Sequence, residues 1–125
     1  MFKGVIIEES LEDTSVLKGL HVLKTEVVQT TEKSNTPWLR RWTLHEVEIP
    51  EERAAEVADT LSSLIDREHA QAWYADFSDE ETHYIIFRGR VFAVDCSRQD
   101  EYDAVNEYGR SLGIPAHQIK FAVKK

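Results

Sequence analysis

The spacing of hydrophobic residues changes several times along the chain, and each spacing predicts one kind of element. Alternation of apolar and polar residues is typical of strands, and apolar residues every three or four positions are typical of amphipathic helices. Two segments show the helical spacing: 51–68 and the stretch between Ser97 and Gly113. Six segments have the character of strands: 2–9, 21–31, 38–49, 72–77, 82–87 and 90–95.

The connections between these segments predict how the segments pair. The polar stretch 32–37 is short, so we expect the second and third strands to form an antiparallel hairpin. Only Arg88 and Gly89 separate the fifth and sixth strands, and such a turn needs a positive φ that glycine adopts without strain. Ser97, with an acid three residues later, predicts the N-cap of the second helix, which Gly113 ends. The pattern does not decide the structure of two segments. Residues 15–20 form either one helical turn or a loop, and residues 118–123 form either a last edge strand or an ordered extension.

The order of these elements predicts the fold class. The strands fall in adjacent groups and do not alternate regularly with helices, which favours an α+β fold over a parallel α/β sheet. We therefore predict a mostly antiparallel β-sheet of about five to six strands with two α-helices packed on one face. The length is that of a single α+β domain, spanning residues 1–125. A split arrangement like that of the ferredoxin fold stays open.

The charge of the chain excludes one class of partner. The formal net charge is −8, and neither half of the sequence is basic. Binding to nucleic acid requires a positive surface that displaces counterions from phosphates, so we expect no nucleic-acid partner. No apolar run reaches the roughly 20 residues of a membrane helix, and the run near the N-terminus is too short for a signal peptide. We therefore expect a soluble, cytoplasmic protein without a membrane partner.

The motifs of the well-marked enzyme classes are absent from the sequence. It contains no phosphate-binding loop, dinucleotide fingerprint, nucleophile elbow or zinc-protease helix. The single cysteine, Cys96, excludes an internal disulfide and a cysteine zinc cage, and the acidic residues near it oppose a reactive thiolate. Whether the protein is an enzyme stays open, and the sequence predicts no cofactor.

The histidines are the clearest acid–base candidates. No two of the five lie three or four residues apart, so a metal site would need ligands from several strands. His45 and His83 stand out because each lies on an expected strand near a carboxylate, Glu46 and Asp76 respectively. Since half-buried histidines with a satisfied hydrogen bond are common, we predict no metal at either position.

Aromatic residues and arginines concentrate on the same strands, where they fit a ligand-binding surface, a dimer interface or the core. An aromatic surface stacks planar ligands, and a nearby arginine can hold a carboxylate or phosphate. The candidate ligand-binding residues are Trp38, Arg40, Trp42, His45, Trp73, Asp76, His83 and Arg88.

These residues lead to two hypotheses of function. The first is a binding or protein-interaction module that associates with itself through a sheet edge or the aromatic surface. It leaves open a second copy of the chain, another protein and a small molecule as partners. The second is a small enzyme with a pocket on the sheet, in which His45 and His83 act as acid–base groups and Arg88 binds an anion. The second hypothesis requires both histidines to face the same side of the sheet.

Several segments taken together resemble a known group of sequences. They are MFKGVIIEESL at 1–11, TPWL at 36–39, WTLH at 42–45, WYADF at 73–77, HYIIFR at 83–88 and SLGIP at 111–115. This set resembles a family of small uncharacterised bacterial and archaeal proteins of about this length. The resemblance spans nearly the whole chain and implies a stand-alone cytosolic protein, but it implies no activity, cofactor or site residue.

Overall fold

In the computed structural model, which describes residues 1–31, 36, 38–69 and 73–123, strands and helices follow the predicted order. Two short 3₁₀ helices, Glu8–Ser10 and Thr14–Gly19, follow the first strand. The α-helices of the described residues are α1 (Glu51–Leu64) and α2 (Gln99–Ser111). The strands are β1 (Phe2–Ile7), β2 (His21–Gln29), β3 (Arg41–Ile49), β4 (Ala75–Ser78), β5 (Thr82–Phe87) and β6 (Arg90–Asp95). The predicted α+β class is confirmed.

The six strands form one sheet in the order β2-β3-β1-β4-β5-β6, and every neighbouring pair is antiparallel. β1 lies at the centre, between β3 and β4. Because β3 and β4 both run antiparallel to β1, they run parallel to each other, and α1 connects them. The chain therefore contains a βαβ unit split by an inserted strand, which is the arrangement that the sequence left open.

The two faces of the sheet are covered by different helices. One face, called here the α1 face, carries strand side chains that pack with α1: Phe2, Ile6, Val47, Ile49, Phe77 and Ile86. The opposite face, called here the α2 face, carries side chains that pack with α2 and the tail: Ile85, Phe87 and Val94. The prediction that both helices pack on one face is therefore wrong. Ile85, Ile86 and Phe87 are consecutive and fully buried, and such a continuous apolar run is typical of a strand covered on both faces.

The ends of the elements differ from prediction where side chains choose other partners. Gly89 has φ 74° in the turn between β5 and β6, and Gly113 has φ 99° after α2, which confirms both predicted glycine roles. Ser97 does not cap α2, because its hydroxyl donates to Asp95 Oδ1 at 2.7 Å. Arg98 occupies the N-cap position without a side-chain capping hydrogen bond, and its guanidinium donates to Asp100 instead.

The C-terminal tail is an ordered extension, which decides one of the open alternatives. Ile119 is buried beside Gly109 of α2, and the Asn106 side chain forms two hydrogen bonds with the Phe121 backbone. The other open segment, 15–20, lies mostly in the second 3₁₀ helix. The predicted polar turn at 32–37 and the start of the fourth strand at 72 lie largely outside the described residues. Within the described part of the chain, no helix is long and apolar enough to cross a membrane.

Candidate functional site

His83 is held at both ring nitrogens by side chains from two other elements. Its Nε2 lies 2.7 Å from Asp76 Oδ2 on β4, and its Nδ1 lies 3.1 Å from the Tyr102 hydroxyl on α2. The register explains the first contact, because Ser78 pairs with His83 and Asp76 lies two residues from Ser78 on the same face. The ring of Phe121, from the tail, packs edge-on against the imidazole at 5.3 Å. The position and orientation of His83 are thus determined by β4, α2 and the tail together.

His45 has the same kind of environment at the other half of the sheet. Its Nε2 lies 3.1 Å from Glu8 Oε1, and its Nδ1 lies 2.9 Å from Thr25 Oγ1. The side chains of both histidines are 13% exposed. The predicted carboxylate for His45 was Glu46, which is exposed and lies on the opposite face, so that pairing is wrong.

The two histidines lie on opposite faces of the sheet. His45 pairs with Ile6 on the α1 face, whereas His83 pairs with Val94 on the α2 face. They cannot line one pocket, and the hypothesis of an enzyme that uses His45 and His83 together is wrong. The sequence predicted both strands but not their order, and the order determines which face each residue occupies.

The contacts of His83 extend to Cys96 through Tyr102. Cys96 lies near the Tyr102 hydroxyl, and its thiol donates weakly to the Asp79 carbonyl at 3.8 Å. Burial raises the pKa of Tyr102 to about 12, and the nearby Cys96, Asp76 and Asp95 act in the same direction. The hydroxyl therefore stays protonated at neutral pH and can donate or accept a hydrogen bond.

A groove of about 840 Å³ lies at this end of the sheet, where β4 turns into β5 and β6 leads into α2. His83, Cys96 and Tyr102 all contribute to its surface. Its other lining residues are Met1, Lys3, Glu51, Ser78, Asp79, Glu80, Glu81, Ser97 and Val123. The groove therefore combines the side chains of His83, Tyr102 and Cys96 with a polar rim and apolar patches from Met1 and Val123.

The rim of the groove is acidic. It carries the carboxylates of Glu51, Asp79, Glu80 and Glu81, against the amine of the Lys3 side chain and the amine of Met1, which lies near Asp79. Backbone N–H groups of Thr82 and Glu81 donate to Asp79, which lowers its pKa and keeps it ionised. A shallower depression of about 560 Å³ shares three rim residues and adds two more carboxylates, those of Asp95 and Glu101. Clustered charge of one sign raises the local concentration of the opposite ion, so this end of the molecule attracts cations.

The predicted aromatic residues form a separate group at the β3 end of the sheet. Trp73 is 1% exposed, and Trp42 packs against it with ring centroids 5.6 Å apart while donating from Nε1 to Thr36 Oγ1 at 3.0 Å. Trp38 is exposed and stacks on His69 at 3.8 Å. Trp73 and Trp42 therefore serve mainly as core, one of the alternatives that the sequence left open, and Trp38 covers the edge of that cluster.

Neither predicted arginine lies at the groove. Arg88 Nη1 donates to the carbonyls of Ser63 and Ile65 at 2.8 and 2.9 Å and contacts Glu12 Oε1 at 3.0 Å. It thereby satisfies free carbonyls at the C-terminus of α1, which is a structural role. Arg40 is exposed, and its backbone carbonyl accepts a hydrogen bond from Thr30.

Of the eight candidate residues, only His83 lines the groove, and Asp76 is in contact with it. Tyr102 lies in the stretch that was predicted to be helical between Ser97 and Gly113, but its hydroxyl contact was not predicted. The acids of the β4–β5 turn were not among the candidates. In the described part of the chain, no three His, Cys, Asp or Glu side chains are grouped so as to hold a metal ion.

No family model matches the chain, and neither a curated protein nor a solved structure matches it. The resemblance to uncharacterised bacterial and archaeal proteins stays a prediction. Any functional argument therefore depends on the groove itself.

Proposed function

We propose that the protein is a ligand-binding module whose groove takes a small organic molecule with a positively charged amine. The observation that supports this is a groove of about 840 Å³ with four carboxylates, against the amines of Lys3 and Met1, around a protonated tyrosine hydroxyl. Pockets for small molecules usually measure about 300–1,000 Å³ and combine apolar walls with a few polar groups. As part of the same proposal the protein is cytoplasmic, because its half-buried free thiol suits a reducing compartment.

Each part of the groove has a role in this proposal. The carboxylates of Asp79, Glu80 and Glu81 attract the ammonium group, and the Tyr102 hydroxyl forms the central hydrogen bond. Val123 supplies apolar contact for the rest of the ligand. Both ring nitrogens of His83 already have protein partners, so His83 is a positioning residue that orients Tyr102. That saturation favours binding over acid–base catalysis, which needs a nitrogen open to the substrate.

Three probes of matched shape test the proposal: phenethylamine, phenethyl alcohol and 3-phenylpropionate. We expect only the amine to bind in isothermal titration calorimetry and to raise the melting temperature. A ligand at a hundred times its dissociation constant stabilises the native state by about 2.7 kcal/mol. For a chain of this length that corresponds to a rise of roughly 10 °C. Equal responses to the amine and the carboxylate would contradict the proposal.

Paired variants separate the groove from the rest of the surface. Glu80→Gln with Glu81→Gln removes two rim charges, and we expect it to weaken amine binding, whereas Glu107→Gln on the exposed side of α2 is the matched control. Tyr102→Phe removes one hydrogen bond worth about 1 kcal/mol, which lowers affinity about fivefold. Tyr108→Phe on the same helix is its control. Unchanged affinity in both groove variants would show that the amine binds elsewhere.

A further inference from the structure

β2 is an edge strand with one open side. Among the residues that the structure describes it pairs with β3 only, and seven of its nine residues are exposed. Two of these are large apolar side chains, Leu23 at 43% and Val27 at 56% exposure. An edge of this kind presents unpaired backbone N–H and C=O groups that can pair with another strand.

The sequence of β2 is complementary to itself when a second copy runs in the opposite direction. With Thr25 opposite Thr25 of the second copy, Lys24 lies opposite Glu26, and Leu23 lies opposite Val27. Each of these pairs occurs twice across a two-fold axis, so every charge meets its opposite and every apolar residue meets another. The side chains of directly opposed residues must also lie on the same face of the sheet. This holds when the two-fold axis passes through a residue, because opposed residues are then an even number of positions apart along the strand.

We propose that two copies of the chain associate through β2, antiparallel and with the two-fold axis at Thr25, to form one sheet that continues through both copies. The paired segment runs from Leu23 to Val27, and Leu23, the residue of the β-bulge between Val22 and Lys24, forms its end. In one copy Lys24 Nζ lies 3.9 Å from Glu26 Oε2, and both side chains are more than half exposed. They are therefore free to exchange this weak contact for cross-strand pairs.

A lysine in an edge strand usually prevents such pairing, because it meets an apolar or like-charged neighbour. Here Glu26 supplies the opposite charge at the position where the second copy presents Lys24. The other edge, β6, lacks this property: an axis at Ala93 would place Arg90 opposite Cys96. Its Arg90 guanidinium also lies over the rings of Phe92 and Tyr108, at 4.7 and 5.6 Å.

Charge exchange tests the pairing. Sedimentation velocity over a range of concentrations should show a monomer–dimer equilibrium for the native chain. Lys24→Glu and Glu26→Lys each turn two attractive pairs into repulsive ones, so each should raise the dimer dissociation constant roughly tenfold. The double variant with both substitutions should return it close to the native value. A chain that stays monomeric, or a double variant as weak as the singles, would overturn the proposal.

Cross-linking tests the position of the axis. In a Cys96→Ser background, Thr25→Cys places two thiols across the axis, where Cα atoms of opposed residues lie about 4.5–5.5 Å apart and a disulfide can form. Val27→Cys is the control, because its two copies would lie four residues apart along the strands, roughly 13 Å. Mild oxidation should therefore give a covalent dimer with Thr25→Cys alone. Equal cross-linking of both variants would refute this axis, and neither test depends on the groove.

Discussion

The Asn106 side chain joins the C-terminal tail to α2, and its removal tests what holds the tail in place. Its amide nitrogen donates to the Phe121 carbonyl at 2.8 Å, and its amide oxygen accepts the Phe121 N–H at 2.8 Å. The side chain thus makes the two bonds that a neighbouring strand would otherwise make. Asn106 is buried, so both bonds form away from bulk water.

We expect Asn106→Ala to lower the free energy of unfolding by about 2 kcal/mol. Two neutral hydrogen bonds contribute about 1 kcal/mol each. The higher helix propensity of alanine returns about 0.5 kcal/mol, and the incomplete solvation of the freed Phe121 groups costs a similar amount. For a chain of this length the change corresponds to a fall in melting temperature of roughly 8 °C.

Urea unfolding followed by tryptophan fluorescence measures this change, and hydrogen exchange at the Phe121 amide locates it. Glu107→Ala, at the next and exposed position of α2, should change stability by less than about 0.5 kcal/mol. Because Phe121 packs on His83 and Val123 lines the groove, Asn106→Ala should also weaken amine binding. This account of the tail would be refuted if Asn106→Ala had the same urea midpoint of unfolding as the native chain and the same hydrogen-exchange rate at the Phe121 amide.

Two further substitutions test the sheet and the buried tyrosine. Gly4→Ala would place a Cβ 2.7 Å from Phe77 Cα in the adjacent strand, so urea unfolding should show a loss of about 2 kcal/mol. Gly19→Ala, where the nearest atom is 3.9 Å away, is the control, and equal effects would contradict the close approach. Burial, aided by Asp76, raises the pKa of Tyr74 to about 12 from 10.0, so its contribution to stability is complete below pH 10 and is lost as the pH rises to 12. Tyr74→Phe loses the bond to the Gln118 carbonyl, so it should cost about 1 kcal/mol at pH 7. It should also make the fall in stability between pH 10 and 12 smaller, leaving the part that comes from Tyr102, whose pKa is likewise raised to about 12. An unchanged alkaline profile would contradict the assignment.

Local periodicity explains why β5, β6 and α1 could be predicted closely. The strands at 82–87 and 90–95 match their predicted bounds, because alternation and one glycine turn are encoded by neighbouring residues. α1 ends at Leu64, four residues before its predicted end. There Arg88, distant in sequence, takes up the carbonyls of Ser63 and Ile65, and no local pattern marks that contact.

The candidate site could be predicted only in part for a similar reason. Asp76 and His83 were recognised from their types and their expected strands. Their grouping with His45 was wrong because strand order, which decides the face, depends on β1 pairing between two distant segments. Tyr102 has an apolar ring and a polar hydroxyl, and helical spacing reveals only the first of these.

The central position of β1 has a consequence for how the chain folds. The β2–β3 hairpin and the β4–β5–β6 meander each pair strands that follow one another in the chain, so each can form earlier from contacts closer in sequence. β1 pairs Phe2 with Ile49 on one side and Gly4 with Phe77 on the other, which are among the longest loop closures in the sheet. Of these six strands, β1 is therefore synthesised first but its partners arrive late, and the two halves of the sheet become one cooperative unit only when it takes its place between them.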